Sequence, residues 1–414
     1  MSPIATSLTL FATFLLVHCS PTPLRRSEAE ALVSRSFPVA PHTLPLKTVQ
    51  RGSHSSKLRR QSEILIDPGY ESHFLIEVSL GGQSVGLLVD TGSSDTWAVT
   101  TGFDCDPEFD CAFGDAITVN KAFELYTDAE FLINYVDGSY ASGPLANTSV
   151  DIAGITVEEQ TIGLATKVGI VGDGAMTGLI GLAYPCLTSA VEGGQPVIYS
   201  SIINTIFYEE LTEPLFSMAI SRDASETGYG GFLTIGGIPD TEDPRINAVG
   251  DFGSAPVEVN PEIPSCGDYF THYTIVPDGV AWADGAGKFA DEDATPAYYV
   301  VDSGATLSRF PPAIAKAVNA LFDPPATLNS QGLYVVSCDA TLPQLSLFVG
   351  GVELPINPLD LVWFSGTTCV SGVQSIRGDT VVGVIGDSLM RSMLVVFDWG
   401  ERMVHFASRP VYDS

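Results

Sequence analysis

One short pattern occurs twice in this chain and limits the folds open to it. Gly86-Leu-Leu-Val-Asp-Thr-Gly-Ser-Ser-Asp-Thr-Trp97 runs from a branched apolar stretch into a carboxylate and a small, hydroxyl-rich turn. Ala297-Tyr-Tyr-Val-Val-Asp-Ser-Gly-Ala-Thr-Leu307 repeats that order far downstream. Such apolar runs read as buried strands. A carboxylate at the end of a buried strand costs free energy unless it is hydrogen-bonded. The Gly, Ser and Thr residues beside Asp90 and Asp302 supply N–H and O–H donors for that purpose. Each Asp is followed by a second apolar run ending in glycine. Gly181, in Gly178-Leu-Ile-Gly-Leu-Ala-Tyr-Pro185, lies 91 residues after Asp90, and Gly386, in Val381-Val-Gly-Val-Ile-Gly-Asp387, lies 84 residues after Asp302. Two similar lobes, each offering one Asp, place both carboxylates at the lobe interface, where clefts form.

The rest of the chain agrees with an all-β reading. Short alternating runs such as Phe74-Leu-Ile-Glu-Val-Ser-Leu80, Phe131-Leu-Ile-Asn-Tyr135, Val150-Asp-Ile152, Gly231-Phe-Leu-Thr-Ile235 and Met393-Leu-Val-Val-Phe397 are broken by Gly, Pro, Asp and Asn. Period, length and punctuation predict antiparallel strands. Helical patterning is confined to residues 197–211 and 312–322. A length of 414 residues allows two or three domains and an ample core.

Charge divides the chain. Residues 21–60 hold eight basic and two acidic side chains, a net of +6, and the remainder from Gln61 carries −36. A body this acidic excludes nucleic acid and anionic membranes as partners. Leu8 to Val17 is an apolar run too short to span a bilayer, followed by the small residues Cys19 and Ser20, and residues 1–20 are read as a secretion signal. Residues 21–60 are Ser-, Arg- and Pro-rich and end in Lys57-Leu-Arg-Arg60, a dibasic stretch that reads as the end of a propeptide. A basic segment beside an acidic body has an electrostatic partner that acid weakens by neutralising carboxylates. The domains expected are then 61–240, carrying Asp90, and 241–414, carrying Asp302.

Past the signal, six cysteines remain, at 105, 111, 186, 266, 338 and 369, and an even number in a secreted chain predicts disulfides among fifteen possible pairings. No Cys-x-x-Cys occurs, which argues against a zinc or thioredoxin-like site, so neither metal nor cofactor is expected. The C-terminus has no apolar tail of the kind a lipid anchor requires. A secreted, unanchored protein is expected, and nothing requires a second copy. Asn147-Thr-Ser149 is a glycosylation sequon.

Five segments in this order resemble the pepsin-like aspartic proteases, above all their secreted fungal members: Asp90-Thr-Gly-Ser-Ser-x-x-Trp97, Tyr135-x-Asp-Gly-Ser139, Gly178 to Pro185, Asp302-Ser-Gly304 and Ile385-Gly-Asp387. The resemblance covers residues 64–410. It implies a bilobal all-β fold with the active site between the lobes, and an endopeptidase that hydrolyses proteins or peptides at acid pH. Two facing carboxylates that share one proton suit this chemistry, because like charges that close cannot both ionise. One activates water as a base and the other polarises the carbonyl as an acid. Asp90 and Asp302 take those roles.

By the same resemblance, Thr91 and Ser303 bond across to the opposite loop, and Gly92 and Gly304 allow the tight backbone that aims N–H groups at the carboxylates. Ser93 donates to the outer oxygen of Asp90, whereas the matching position is Ala305, where most fungal relatives carry a hydroxyl. Losing that donor raises the apparent pKa of the dyad. Tyr135 lies on a hairpin flap over the substrate and bonds to Trp97. Asp137 either pairs with a lysine of the substrate or nucleates the turn into Gly138. Val136 stands where the family usually has Gly. The resemblance implies bridges Cys105–Cys111 and Cys338–Cys369, with Cys186 and Cys266 left open. It also implies that the propeptide is an intramolecular inhibitor.

Two rivals follow from the residues. Gly82-Gln-Ser-Val-Gly86 matches the nucleophile-elbow pattern of serine hydrolases, but that motif needs a strand before it and a helix after it. Here a strand follows, and past residue 60 the histidines are His73, His272 and His405, with nothing else suggesting a triad. The other rival is a pepsin-like protein that binds peptides without cutting them, which the departures at Ala305 and Val136 keep open.

Overall fold

The computed structural model describes residues 36–50, 72–221, 229–243, 245–287, 289–365 and 368–409. The apolar run at Leu8 to Val17 and the dibasic stretch at Lys57 to Arg60 lie outside these residues. Strands dominate. The first eight are β1 (His42–Gln50), β2 (Ser72–Leu80), β3 (Gln83–Asp90), β4 (Thr96–Cys105), β5 (Glu124–Asn134), β6 (Tyr140–Ile152), β7 (Ile155–Gly169) and β8 (Gly178–Gly181). Alternation decides their faces. In β2, Phe74, Ile76, Val78 and Leu80 enter one core while Leu75 enters a second one with Trp97 and Phe131.

A 15-stranded sheet runs through both halves. In it β1 lies between β2 and Tyr229–Ile235, and Leu215–Ile220 pairs with Met393–Asp398. Smaller sheets of five, four and four strands complete the second half. The likeness between halves is visible in the pairing. β3 runs parallel to β8 with Asp90 opposite Gly181, and β8 runs antiparallel to β4. Tyr299–Val301 likewise runs parallel to Gly383–Ile385, which is antiparallel to Ser308–Phe310. In each half the residues after Gly181 or Gly386 bond back to the Asp turn: Ala183 N donates to Ser93 O, and Asp387 N donates to Ala305 O, both at 2.9 Å. The architecture is all-β and bilobal, with the two Asp turns meeting where the halves join.

Local structure departs from the sequence expectations, or extends them, at several places. Within residues 21–60, the stretch His42–Gln50 forms β1, with Leu46 and Thr48 buried and Leu44 packed on the core. Its three inward positions were hidden among Pro, Ser and Arg. The helix expected over 197–211 is limited to α1 (Ile202–Tyr208), because Pro196 pairs in a short strand before it and Glu210 takes φ 55° after it. The pattern over 312–322 gives α2 (Pro312–Asn319), and a further short helix, α3 (Asp387–Met390), begins at the end of the Ile385-Gly-Asp387 segment. Asn147 sits in mid-strand, paired on both sides by Glu124 and Thr161.

Candidate active site

The site is built from two turns that interlock. Val89 and Val301 are fully buried and carry the strands into the interface, so Asp90 and Asp302 emerge at a fixed depth. Thr91 Oγ1 donates to the Val301 carbonyl at 3.0 Å and accepts from Ser303 N at 2.9 Å. Ser303 Oγ donates to the Val89 carbonyl at 3.0 Å and accepts from Thr91 N at 3.2 Å. These four bonds are symmetric and buried, so each hydroxyl satisfies two backbone groups of the other half.

Each carboxylate sits over the glycine of the opposite turn. A Cβ on Gly92 would lie 2.5 Å from Asp302 Cγ, and one on Gly304 would collide with Asp90 Oδ1, so neither position admits a side chain. Gly92 N donates to Asp90 Oδ1 at 2.7 Å and Gly304 N donates to Asp302 Oδ1 at 2.8 Å. Ser93 Oγ adds a bond to Asp90 Oδ2 at 2.5 Å.

The two carboxyls hydrogen-bond each other, and both are pushed above the usual carboxylate range. For Asp302 burial is the main cause, and the charge of Asp90 adds to it. For Asp90 burial is opposed by Ser93, the backbone of Gly92 and the bond from Asp302. Two anions this close are disfavoured, so the titration belongs to the pair, and Asp90, with Ser93 beside it, has the more hydrogen-bond support for its charge.

Around the dyad, β5 and β6 form a hairpin whose turn spans 135–139. Tyr135 N donates to Ser139 O at 2.8 Å, and Gly138 takes φ 87°. Tyr135 Oη accepts from Nε1 of the buried Trp97 at 2.9 Å. Burial, and then the Asp90 charge, push the Tyr135 hydroxyl far up, so it stays neutral. Asp137 Oδ1 accepts from Ser139 N at 2.9 Å and from Ser139 Oγ at 2.6 Å, which gives this carboxylate a turn-forming role. Val136, beside it, is 94% exposed.

Asp95 and Asp387 are among the buried acids that the sequence reading does not single out. Asp95 accepts from Ser189 N at 3.1 Å and from Tyr199 Oη at 2.5 Å, tying the first Asp turn to the segment before α1. Asp387 opens α3, and neither of its oxygens has a hydrogen-bond partner among the described residues. Burial pushes its pKa well up against the pull of Arg391, and the charges of Asp302 and Asp90 push the same way. Its place in Ile385-Gly-Asp387 was the available signal.

The described cysteines form three disulfides, Cys105–Cys111, Cys338–Cys369 and Cys186–Cys266. The last, left open by the sequence, joins positions 80 residues apart that only the fold brings together. Among the described residues no cluster of His, Cys, Asp and Glu is suited to a metal. No described helix is long and apolar enough to cross a membrane. Ser84, the would-be elbow nucleophile, lies within β3 and donates to Glu77 rather than to a histidine.

Comparison with known proteins agrees with this geometry. Residues 73–409 match the family model described as eukaryotic aspartyl protease. A probable aspartic-type endopeptidase of Aspergillus fumigatus is 36% identical over 373 residues, covering 86% of this chain and 82% of that protein. Penicillopepsin-1 of Talaromyces stipitatus is 24% identical over 368 residues, covering 87% of this chain and 82% of its own length. Among solved structures, the aspartic proteinase from Irpex lacteus superposes with a TM-score of 0.63 at 17% identity, covering 88% of this chain and 96% of that one.

Proposed function

The chain belongs to the eukaryotic aspartyl protease family and is an aspartic-type endopeptidase, and on that footing we propose that Asp90 and Asp302 are its catalytic pair. The observation that carries the proposal is the meeting of two buried carboxyls of unequal hydrogen-bond support, each seated over the glycine of the opposite, interlocked turn. Asp90, ionised, takes a proton from a water seated between the carboxyls as the water oxygen attacks the scissile carbonyl carbon. Asp302 gives its proton to the carbonyl oxygen, leaving a neutral gem-diol. The proton gained by Asp90 then passes to the amide nitrogen as the C–N bond breaks. A diol hydroxyl returns a proton to Asp302, so the pair ends as it began.

Thr91, Ser303, Gly92, Gly304 and Ser93 hold the pair. Tyr135, Asp137 and Gly138 form the flap over the substrate, with Trp97 behind it. The second oxygen of Asp137 is the group that would meet a substrate lysine. Hydrolysis needs the proton shared between the carboxyls, and this supports activity at acid pH.

The full chain is read as a secreted zymogen. The signal-like run at residues 1–20, the +6 segment and the −36 body support this. So does β1, seated between two strands of the body, with Lys47 Nζ 3.3 Å from Glu77 Oε2. That exposed pair adds little by itself; the strand ladder is the stronger tether.

The test is to secrete the full chain, acidify it, map the new N-terminus by mass spectrometry and assay denatured haemoglobin or casein across acid pH. Cleavage blocked by a statine-type inhibitor is the expected result. Absence of cleavage after verified propeptide removal would instead mark a peptide-binding member of the family.

A further inference from the structure

The flap hairpin is held at two places, and the family's chemistry accounts for only one of them. At the turn, Tyr135 meets Trp97, at the start of β4. At the root, Tyr140 begins β6, opposite Asn134 on one side and Gly169 on the other. Its hydroxyl donates to Asp106 Oδ2 at 2.8 Å, and Asp106 directly follows the last residue of β4. Both flap contacts thus run to the two ends of one strand.

Asp106 is itself fixed. Its Oδ1 accepts from Glu108 N at 3.0 Å, and its backbone N donates to Val168 O at 2.8 Å. Cys105 and Cys111 close the loop around it, and Gly172 N donates to Asp110 O at 2.8 Å on its far side. The ring of Tyr140 is equally confined. Phe109, from the same loop, meets it edge-on at 6.4 Å, and Lys167 Nζ lies 5.8 Å from its centre. Gly169 lies directly beneath, since a Cβ there would run into the ring.

We propose that the disulfide-closed loop Cys105–Cys111 braces the flap, with Asp106 a positioning residue that acts through Tyr140 to set where Tyr135 stands over the dyad. This rests on the reading of residues 135–139 as the flap of a protease. The protonation states suit the bond. The Glu108 N–H and then the Tyr140 hydroxyl hold the Asp106 carboxyl below the usual range, while burial and Asp106 push Tyr140 up to about 12. The result is a neutral hydroxyl donating to an anion, which is a stronger bond than a neutral pair makes. The bond anchors the last rung before the 135–139 turn, where β6 is paired with both β5 and β7, and so limits motion of the turn that carries Tyr135.

The test compares Tyr140→Phe, Asp106→Ala, Asp106→Asn and the Tyr140→Phe/Asp106→Ala pair in the activated enzyme. KM and kcat are measured on a peptide substrate, and amide hydrogen exchange is followed over residues 131–142. Loss of the bond is expected to raise KM about fivefold with kcat within about twofold, and to speed exchange at the flap. The double variant should be no worse than either single, since both remove one bond. Asp106→Asn, whose amide oxygen still accepts, should recover most of the loss. Tyr140→Phe removes a single oxygen and decides the matter even if Asp106→Ala does not fold. A Tyr140→Phe enzyme with parental KM, or one that loses only thermal stability, would overturn the brace. An Asp90→Asn control separates the two readings: if it still cleaves, the dyad assignment fails, while flap exchange still reports on the brace.

Discussion

Ser93 donates to the outer oxygen of Asp90, and the equivalent place beside Asp302 is held by Ala305, which has no hydroxyl to give. The dyad is therefore symmetric in backbone and unequal in hydrogen bonding. Installing the missing donor with Ala305→Thr should favour ionised Asp302 and lower the higher of the two dyad pKa values. The alkaline limb of the kcat/KM profile is then expected to move toward lower pH, with the acid limb little changed. Profiles of the two enzymes on one peptide check this; superimposable alkaline limbs would refute it.

The crossed hydroxyls are the mechanical tie between the turns. Thr91→Val leaves Ser303 N–H and the Val301 carbonyl without their partner. A loss of about 2–4 kcal/mol is expected from two unsatisfied buried groups. Thr91→Ser keeps the oxygen and should recover most of it. Urea unfolding of the three proteins at one pH makes the comparison.

The glycine of each turn matters for room. A methyl group on Gly304 would run into Asp90 Oδ1 and must displace that carboxylate. Displacements of this size in a catalytic group lower rates by roughly a hundredfold or more. Gly304→Ala should therefore show that loss in kcat while keeping its circular dichroism spectrum.

Stability should depend on pH in a direction set by burial. Asp90, Asp302 and Asp387 all have folded pKa values above those of the unfolded chain. The native state then holds protons that the unfolded chain releases, so stability is greatest in acid and falls as pH rises past the ordinary carboxylate range toward the raised values. Carboxyls shifted the other way, such as exposed Glu77 and half-buried Asp243, pair with Lys47 and Arg245 near the surface and offset this only weakly. Asp387→Asn removes one contributor. Its melting temperature should match the parent at about pH 3.5, below the ordinary carboxylate values, and exceed it near neutrality. Parallel curves across that range would contradict the assignment.

The repeat and the meeting of the two Asp turns were legible because each rests on a few contiguous residues at the end of an apolar strand, and the crossed hydroxyls followed from the family resemblance. Asp137 was open between two roles in the sequence. Its bonds to Ser139 place it in the turn. What escaped was set by distant contacts. The Cys186–Cys266 bridge depends on Pro185–Leu187 meeting Pro264–Cys266 across the fold. β1 is stabilised by strands on either side rather than by its own propensity, so Leu44-Pro-Leu46 alone gave too weak a signal. Asp95 looks like an ordinary turn acid in the sequence and only burial distinguishes it, whereas Asp387 had its place in Ile385-Gly-Asp387 as a signal but no sign of its burial. The Tyr140–Asp106 bond spans 34 residues and has no local signature.

Proton sharing between Asp90 and Asp302 is tested by the hydrolysis rate of the Asp302→Asn protein on denatured haemoglobin at acid pH. The amide put in place of the Asp302 carboxyl would keep the Oδ1 acceptor for Gly304 N and preserve the shape of the site while having no proton of carboxyl acidity to give. A fall of about a thousandfold or more is expected for loss of the general acid, with an unchanged unfolding midpoint. Statine-sensitive cleavage within about tenfold of the parent, well short of a general acid's contribution, would contradict the account.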